Sequence, residues 1–400
     1  MDSKANSIYG GFTPSYFYFL IIFLGAISAF GPLLTDMYLP TQPAMVEDFH
    51  TSTAMVQMSL TMGMIGLAAG QVFFGPLSQK YGRRSVLIVS LSMFVVAAVA
   101  SVFSRHIVFF LICRLAQGLG GSGGIVLSRS IATDCYRGTN LRKMMAIIGA
   151  INGIAPATAP VIGGLMAKSV GWQGIFMVLA VIGVVLVVMS IVFRETLTDE
   201  MRIRGSIFST FKDYGKVLTN RRFMALVVCY GFSSGALFAY ISAAPFILQT
   251  RFGFSEILFA LTFGINSVVI GLGSGLALKF RVPERAMLLG ALGMGAGALL
   301  QIGGVWACDS FAAYEVTTLI LLLSLGMVFT ISTSMAMDCG RQYTGAAAAI
   351  VGAVGFVFGG VISPLVSIGN VQYTSALLLL FCSVAAFSLA RLIYRHRLSA

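Results

Sequence analysis

The chain contains about twelve apolar segments long enough to cross a lipid bilayer, and no other feature restricts its fold as strongly. A helix that spans the hydrocarbon core needs roughly 20 mostly apolar residues. Only 10% of the 400 residues are charged, whereas soluble domains carry about a quarter. We therefore expect an all-α membrane protein with twelve transmembrane helices. Its predicted spans are 17–40, 54–76, 84–103, 107–130, 143–166, 173–193, 223–247, 256–278, 286–306, 312–336, 344–368 and 372–394.

The chain has a net charge of +12, and its Lys and Arg residues are distributed unevenly among the loops. Arg105, Lys168 and Arg251 fall in loops on one side, and Arg114 falls within a span. All the others among the 26 basic residues fall in loops or tails on the opposite side. Cytoplasmic loops of membrane proteins carry such an excess. The pattern predicts that both termini are cytoplasmic, and it explains the basic charge without a nucleic-acid partner.

The longest polar stretch, residues 195–222, follows the sixth predicted span and divides the chain into six plus six spans. We predict an N-terminal six-helix bundle at 1–194, a cytoplasmic linker at 195–222 and a C-terminal six-helix bundle at 223–400. A weak internal repeat supports the division, because span five reads GAINGIAPATAPVIGG and span eleven reads GAVGFVFGGVISPLV. Two related bundles are a common plan among transporters.

Several short motifs occur at matching places in or between the spans. TDMYLPTQPAM ends span one, GPLSQKYGRR joins spans two and three, RLAQGLG lies in span four, APATAPVIGG lies in span five, and RETL ends span six. In this order they resemble the major facilitator superfamily, and most of all the bicyclomycin/chloramphenicol-resistance branch of its drug:proton antiporters. The resemblance implies two six-helix bundles, a bacterial inner-membrane location and a monomer. It also implies conformational roles for Gly75, Gln79, Gly82, Arg83, Arg84, Ala159, Pro160, Gly163 and Gly164.

Two positions depart from the family pattern. Gln79 stands where the family usually has an acid that latches the two halves, and a neutral amide forms no ion pair, so we expect a weaker latch. Ala159-Pro160 replaces the usual Gly-Pro of span five. Alanine is still small enough for close helix packing.

Asp36 is the first candidate for chemistry. An ionisable group at the bilayer centre costs roughly 2.5–3.5 kcal/mol and usually faces a cavity or a partner. One interpretation is a solvated carboxylate at the outer end of span one. Against it, the neighbours Leu34, Met37 and Leu39 are apolar. The resemblance implies that this acid binds a proton, and burial would suit that role because it disfavours the charged form.

Arg114 is the second candidate, because it is the basic residue that lies well inside a predicted span. It lies roughly 10 Å from the outer end of span four, and Asp36 lies at a similar depth in span one. Our hypothesis is that Asp36 carries the proton and Arg114 senses its charge. The alternative is a structural arginine bonded to backbone carbonyls.

Other acids receive ordinary interpretations. Asp134 and Asp338 fall at inner helix ends, where solvated or ion-paired roles are favoured. We assign Glu315, with three other acids, to the outer loops. Polar and aromatic residues of cavity-lining spans are expected to contact an amphipathic substrate. These are Tyr38, Gln57, Asn152, Phe238, Tyr240, Phe263, Asn266 and Phe356.

No motif for catalysis or metal binding is present. The six cysteines lack metal-ligand spacing, no nucleophile–base arrangement occurs, and the phosphate-binding GxxxxGK[ST] loop of ATPases is absent. We predict a transporter, not an enzyme, that needs no cofactor and no metal. It exports small amphipathic drugs in exchange for protons across the lipid bilayer. A proton-coupled exporter of sugars or other metabolites is the main alternative, with a nutrient symporter, a channel and a membrane receptor behind it.

Overall fold

The computed structural model describes residues 13–136, 138–197, 202, 214–307 and 310–398. Eleven stretches in this part of the chain are long and apolar enough to cross a membrane. One of them holds two spans, because helix Gly138–Val192 is broken at Gly171, whose φ of 62° suits a residue without Cβ. The prediction of twelve spans is therefore confirmed. Spans one to four are Ser15–Asp48, Thr53–Tyr81, Arg83–Val102 and Ile107–Cys135; spans five and six share Gly138–Val192; spans seven to twelve are Arg221–Arg251, Glu256–Ala277, Pro283–Gly303, Phe311–Cys339, Gly345–Leu365 and Val371–Arg395.

The first span of each bundle is not one continuous α-helix. Span one consists of Pro14–Ser28, Phe30–Asp36 and Gln42–Asp48, with the 3₁₀ turn Leu39–Thr41 between the last two. Proline lacks the backbone N–H that a regular helix needs, and Pro40 lies in that turn. Span seven changes from α-helix Arg221–Pro245 to the π-helix Phe246–Arg251.

Glycines allow the second and fourth spans of each bundle to pack backbone against backbone. In the first bundle, a Cβ at Gly66 would collide with the Leu115 carbonyl, and one at Gly118 with the carbonyl of Gly63. In the second bundle, Gly273 lies in the same way against the Leu323 carbonyl, and Gly326 against that of Ile270. Small residues permit this close approach in membranes. The two helix pairs thus share one packing register.

Each bundle has its own apolar core. One core draws its buried residues from Leu20 to Phe193, and the other draws them mainly from Val217 to Ile393. Span two packs against span eleven, and span five against span eight. These contacts join the six-helix bundles into one molecule. The exact boundaries at 194 and 222 stay a prediction, because residues 198–201 and 203–213 lie outside the described part.

The two ends of the interface between the bundles differ. We call the end with Gly82 and Glu195 the linker end. At the opposite end, Gln57 Nε2 donates to the Ser242 carbonyl at 3.0 Å, and Gln249 Nε2 donates to the Pro40 carbonyl at 3.0 Å. These bonds join the bundles directly.

Towards the linker end, Arg129 of span four is exposed and acts electrostatically on the half-buried Tyr230 of span seven. The prediction that Arg129 lies in a loop was wrong. The residue lies inside helix Ile107–Cys135, which continues beyond the apolar part of the segment.

Candidate functional site

The Arg114 guanidinium is fully buried in the first bundle, with 0% of its surface exposed. Nη1 donates to Gln117 Oε1 at 2.8 Å, Nη2 to the Leu34 carbonyl at 3.0 Å and Nε to the Ser59 carbonyl at 3.3 Å. The guanidinium carbon also lies 4.5 Å from the centre of the Tyr38 ring. Carbonyl oxygens and an aromatic face thus surround the positive charge, where a carboxylate would be the usual partner.

Asp36 lies at the end of helix Phe30–Asp36 and is only 4% exposed. Its Oδ1 atom is buried without a hydrogen-bond partner. Successive helical residues are rotated by about 100°, so Asp36 points away from Leu34, whose side chain packs against Gly63 and Gly121 inside the first bundle. The carboxyl group is therefore shielded from bulk water and lies on a different face of the helix from Leu34.

The structure does not join Asp36 and Arg114 in a salt bridge within the described residues. They are connected through the chain instead. Arg114 binds the carbonyl of Leu34, two residues before Asp36, and stacks on Tyr38, two residues after it. Displacement of this helix end would disturb the arginine's contacts. The backbone contacts are those expected of a structural arginine, and the proposed sensing role remains a prediction.

The predicted substrate residues fall into separate groups. Tyr240 and Phe263 stack with ring centres 5.6 Å apart, and Asn266 Nδ2 lies 2.9 Å from the Tyr240 hydroxyl. Phe238 and Phe356 approach to 6.2 Å. Gln57 reaches the second bundle and retains an unpaired Oε1.

Two further substrate predictions stand apart. The Tyr38 hydroxyl pairs with Ser59 Oγ at 2.9 Å, inside the first bundle. The Asn152 side chain lies outside the described part of the structure. All eight substrate assignments stay predictions.

The two bundles repeat one polar contact. Phe30, Tyr38 and Pro43 of span one correspond, at a constant spacing in the sequence, to Phe232, Tyr240 and Pro245 of span seven. Each tyrosine hydroxyl contacts a polar side chain of the next span, Ser59 in one bundle and Asn266 in the other. In this alignment Asp36 corresponds to Phe238.

Sequence reasoning missed a second intramembrane acid, Glu315. It lies four residues into helix Phe311–Cys339, a depth of roughly 6 Å. Its carboxyl group is within reach of Asn266 and acts electrostatically on Tyr240. The assignment of Glu315 to an outer loop was wrong, and the signal was available, since the residue falls inside the predicted span 312–336.

The motif at the linker end forms a compact polar cluster. Arg83 Nε donates to Asp134 Oδ2 at 2.9 Å in a nearly buried ion pair. The carboxylate of Glu195 accepts from the backbone N–H groups of Arg83 and Arg84 at 3.0 and 3.1 Å, where a helix N-terminus favours negative charge. The ion-paired interpretation of Asp134 is confirmed. Gln79 is half-buried, and within the described part of the chain its side chain makes no hydrogen bond.

The span-five motif makes close contacts in two directions. A Cβ at Gly163 would collide with the carbonyl of Met37, and one at Gly164 with the carbonyl of Glu256 in the second bundle. Ala159 is fully buried. The motif therefore packs against both span one and span eight, and its conformational role stays a prediction.

One more contact joins the linker to the first bundle. The Tyr214 hydroxyl donates to the Val72 carbonyl at 3.4 Å, and burial raises the pKa of Tyr214 to about 12.

In the described residues, no group of three His, Cys, Asp or Glu side chains converges as metal ligands.

Comparison with known proteins identifies the family. The model of the Major Facilitator Superfamily matches residues 18–364. An uncharacterised MFS-type transporter, YdgK of Bacillus subtilis, is 34% identical, with 93% of this chain and 94% of that protein covered. The bicyclomycin resistance protein homologue of Haemophilus influenzae is 27% identical, over 94% of this chain and 95% of that protein. The chloramphenicol resistance protein of Pseudomonas aeruginosa is also 27% identical, over 86% and 83%.

The fold itself is also found among solved structures. A crystal structure of a D-xylose-proton symporter superposes with a TM-score of 0.71 at 13% identity, covering 94% of this chain and 98% of that one. The prediction of a transporter rather than an enzyme is confirmed by the family, and so is the resemblance to the drug:proton antiporter branch. The chain belongs to the major facilitator superfamily and is a multi-pass membrane transporter.

Proposed function

We propose that this transporter exports small amphipathic drugs, of the chloramphenicol or bicyclomycin type, in exchange for protons. Asp36 carries the proton, Arg114 positions the helix end that holds it, and no cofactor takes part. The observation that carries the proposal is the state of Asp36. It is a nearly buried carboxyl with an unpaired oxygen and no counter-charge. A buried group of this kind is stabilised by binding a proton.

The orientation follows from charge. The linker end is cytoplasmic in this proposal, because the basic residues are concentrated there, and both termini then lie in the cytoplasm. The membrane is the bacterial inner membrane, and the working unit is a monomer. The contacts between Gln57 and Ser242 close the outer end of the interface in the conformation described here.

The transport cycle needs two conformations. With the cytoplasmic side accessible, drug enters between the bundles as Asp36 releases its proton. The bundles then rock, Asp36 takes up a proton from outside, and the drug leaves. One proton supplies about 1.4 kcal/mol per pH unit and roughly 2.3 kcal/mol per 100 mV of membrane potential.

Resistance measurements in a bacterium that lacks its own efflux pumps test this proposal. Cells expressing the chain are expected to tolerate chloramphenicol-type or bicyclomycin-type compounds better than cells with the empty vector. Dissipating the proton gradient should abolish the difference in drug accumulation. Unchanged sensitivity to both classes and to cationic compounds would contradict drug export and favour the exporter of sugars or other metabolites.

A further inference from the structure

Glu315 lies where a charged side chain has no evident structural purpose. It is half-buried near the outer end of span ten, and its Oε2 atom is buried without a hydrogen-bond partner. It makes no salt bridge in the described part of the chain. Intramembrane acids are rare and usually face a partner, a cavity or a proton pathway. An acid in this position therefore calls for a ligand.

The neighbouring Asn266 side chain also has an unpaired oxygen. Asn266 is 0% exposed, and its Nδ2 contacts the Tyr240 hydroxyl, while its Oδ1 has no hydrogen-bond donor. The carboxyl of Glu315 is within reach of this amide. Two acceptor atoms of this pair, Glu315 Oε2 and Asn266 Oδ1, thus have no donor. A proton on the carboxyl would turn it into a donor and remove the charge that burial disfavours.

The surrounding helices supply no cation. Tyr240 comes from span seven, Tyr314 from span ten itself, and Asn266 from span eight. Span nine contributes the neutral Gln301, which bonds Thr318 at 3.4 Å, and span eleven contains no ionisable residue. Four charged residues of spans seven and nine lie at the linker end, namely Arg221, Arg222, Glu284 and Arg285, and the other, Arg251, ends span seven.

Charged residues also occur at the neighbouring helix ends, but none of them forms a salt bridge with Glu315 among the described residues. Arg251 is exposed at the last position of the π-helix, and a carboxylate oxygen of Glu256 lies 4.0 Å from Lys168 Nζ of the first bundle. Asp309 lies outside the described residues.

The cluster adjoins the moving interface. Ser267, next to Asn266, has its hydroxyl 3.5 Å from the Pro156 carbonyl of span five. Ser242, two residues after Tyr240, accepts from Gln57 of span two. A change in the charge of Glu315 would therefore act on side chains whose neighbours join the two bundles.

We propose that Glu315 is a second proton-binding carboxyl, positioned beside Asn266 in the C-terminal bundle. The site rests on the proposed proton exchange and extends it. Each bundle then contributes one carboxyl near the tyrosine that the two bundles have at corresponding positions, Asp36 near Tyr38 and Glu315 near Tyr240. Two protons per cycle would make the export of a neutral drug strongly dependent on membrane potential.

Infrared titration of the purified full-length protein tests proton binding without any drug. Protonated carboxyl groups absorb separately from carboxylates, so buried acids are counted directly as pH changes. We expect Asp36 and Glu315 each to contribute a protonated-carboxyl band in the wild type. Glu315→Gln and Asp36→Asn should each lose one of these two bands, and the double variant should lose both. The exposed acid Glu47 provides the matched control, and Glu47→Gln should keep both bands.

Two variants separate proton binding from a structural role. Glu315→Asp should retain a titrating band, and Asn266→Leu should retain it at a shifted frequency because the amide contact is lost. A Glu315→Gln spectrum identical to that of the wild type would overturn the proposal. Because no transport is measured, that outcome is distinct from a failure of drug export, in which both bands would remain while resistance is absent.

Discussion

The two bundles place a tyrosine in the same position and surround it with opposite charges. In the first, Tyr38 contacts Ser59 and carries the Arg114 guanidinium on its ring. In the second, Tyr240 contacts Asn266 and lies near the carboxyl of Glu315. The glycine register that pairs Gly118 with Gly326 places Leu322 where the first bundle has Arg114.

The difference concerns how completely each charge is satisfied. Every nitrogen of the Arg114 guanidinium has a hydrogen-bond acceptor, so its role is fixed by the packed first bundle. The second bundle leaves Glu315 Oε2 and Asn266 Oδ1 unpaired. A buried charged group whose atoms all have hydrogen-bond partners stabilises the fold. A buried carboxyl group without such partners favours binding a proton. Asp36 belongs to the second kind although it lies in the first bundle.

The largest expected effect comes from Arg114→Leu. This substitution gives the first bundle a leucine at the position that corresponds to Leu322 in the second bundle. It leaves Gln117 Oε1 and the Leu34 carbonyl, which lies in the last turn of its helix, buried without the donors that Arg114 supplies. The loss costs about 1–3 kcal/mol for each group. We expect little folded protein and a strongly lowered melting temperature in detergent. Leu322→Met, a volume-conserving change at the matching position, should cost less than about 1.5 kcal/mol. Equal stability of the two variants would show that the comparison is wrong.

The second prediction removes the unsatisfied acid of the first bundle. Asp36→Asn keeps the shape of the side chain but cannot exchange a proton, so proton-driven drug uptake into everted vesicles should be abolished while the folded protein remains. The control is Glu47→Gln, which changes an exposed acid of the same span. This variant should transport like the wild type. Intact proton-driven uptake by Asp36→Asn would remove Asp36 from the mechanism.

A third prediction tests whether the bundles share one packing register. Gly118→Ala and Gly326→Ala each introduce a methyl group against a backbone carbonyl, and overpacking of this kind costs typically about 1–3 kcal/mol. The two melting temperatures should fall by similar amounts. Gly275→Ala is the matched control, because a Cβ there meets nothing within 4 Å. Its better helix propensity should leave stability unchanged or slightly higher.

The smallest expected effect concerns the linker. Because the pKa of Tyr214 is raised from 10.0 to about 12 in the folded protein, the folded state holds this proton more tightly than the unfolded state. Its contribution to stability is full below pH 10 and is lost as the pH rises towards 12. Tyr214→Phe should flatten the fall in melting temperature between those values. An unchanged alkaline profile would mean that other groups cause it.

Much of this architecture follows from the order of residues alone. Twelve apolar runs, a polar linker and the motif order predict the fold and the family, because length and hydropathy decide what can cross a bilayer. Asp36 stands out in the sequence for the same reason, since a charged residue is rare in such a run.

The tertiary structure decided which polar groups have partners. Arg114 and Asp36 lie at similar depths in sequence, yet one is fully bonded and the other is not, because their helix faces point in different directions. Glu315 falls inside a predicted span, but the sequence does not show that spans seven and eight bring Tyr240 and Asn266 near its carboxyl group. Hydropathy is a property of consecutive residues in one helix. Whether a polar group has a hydrogen-bond partner depends on side chains that several helices bring together.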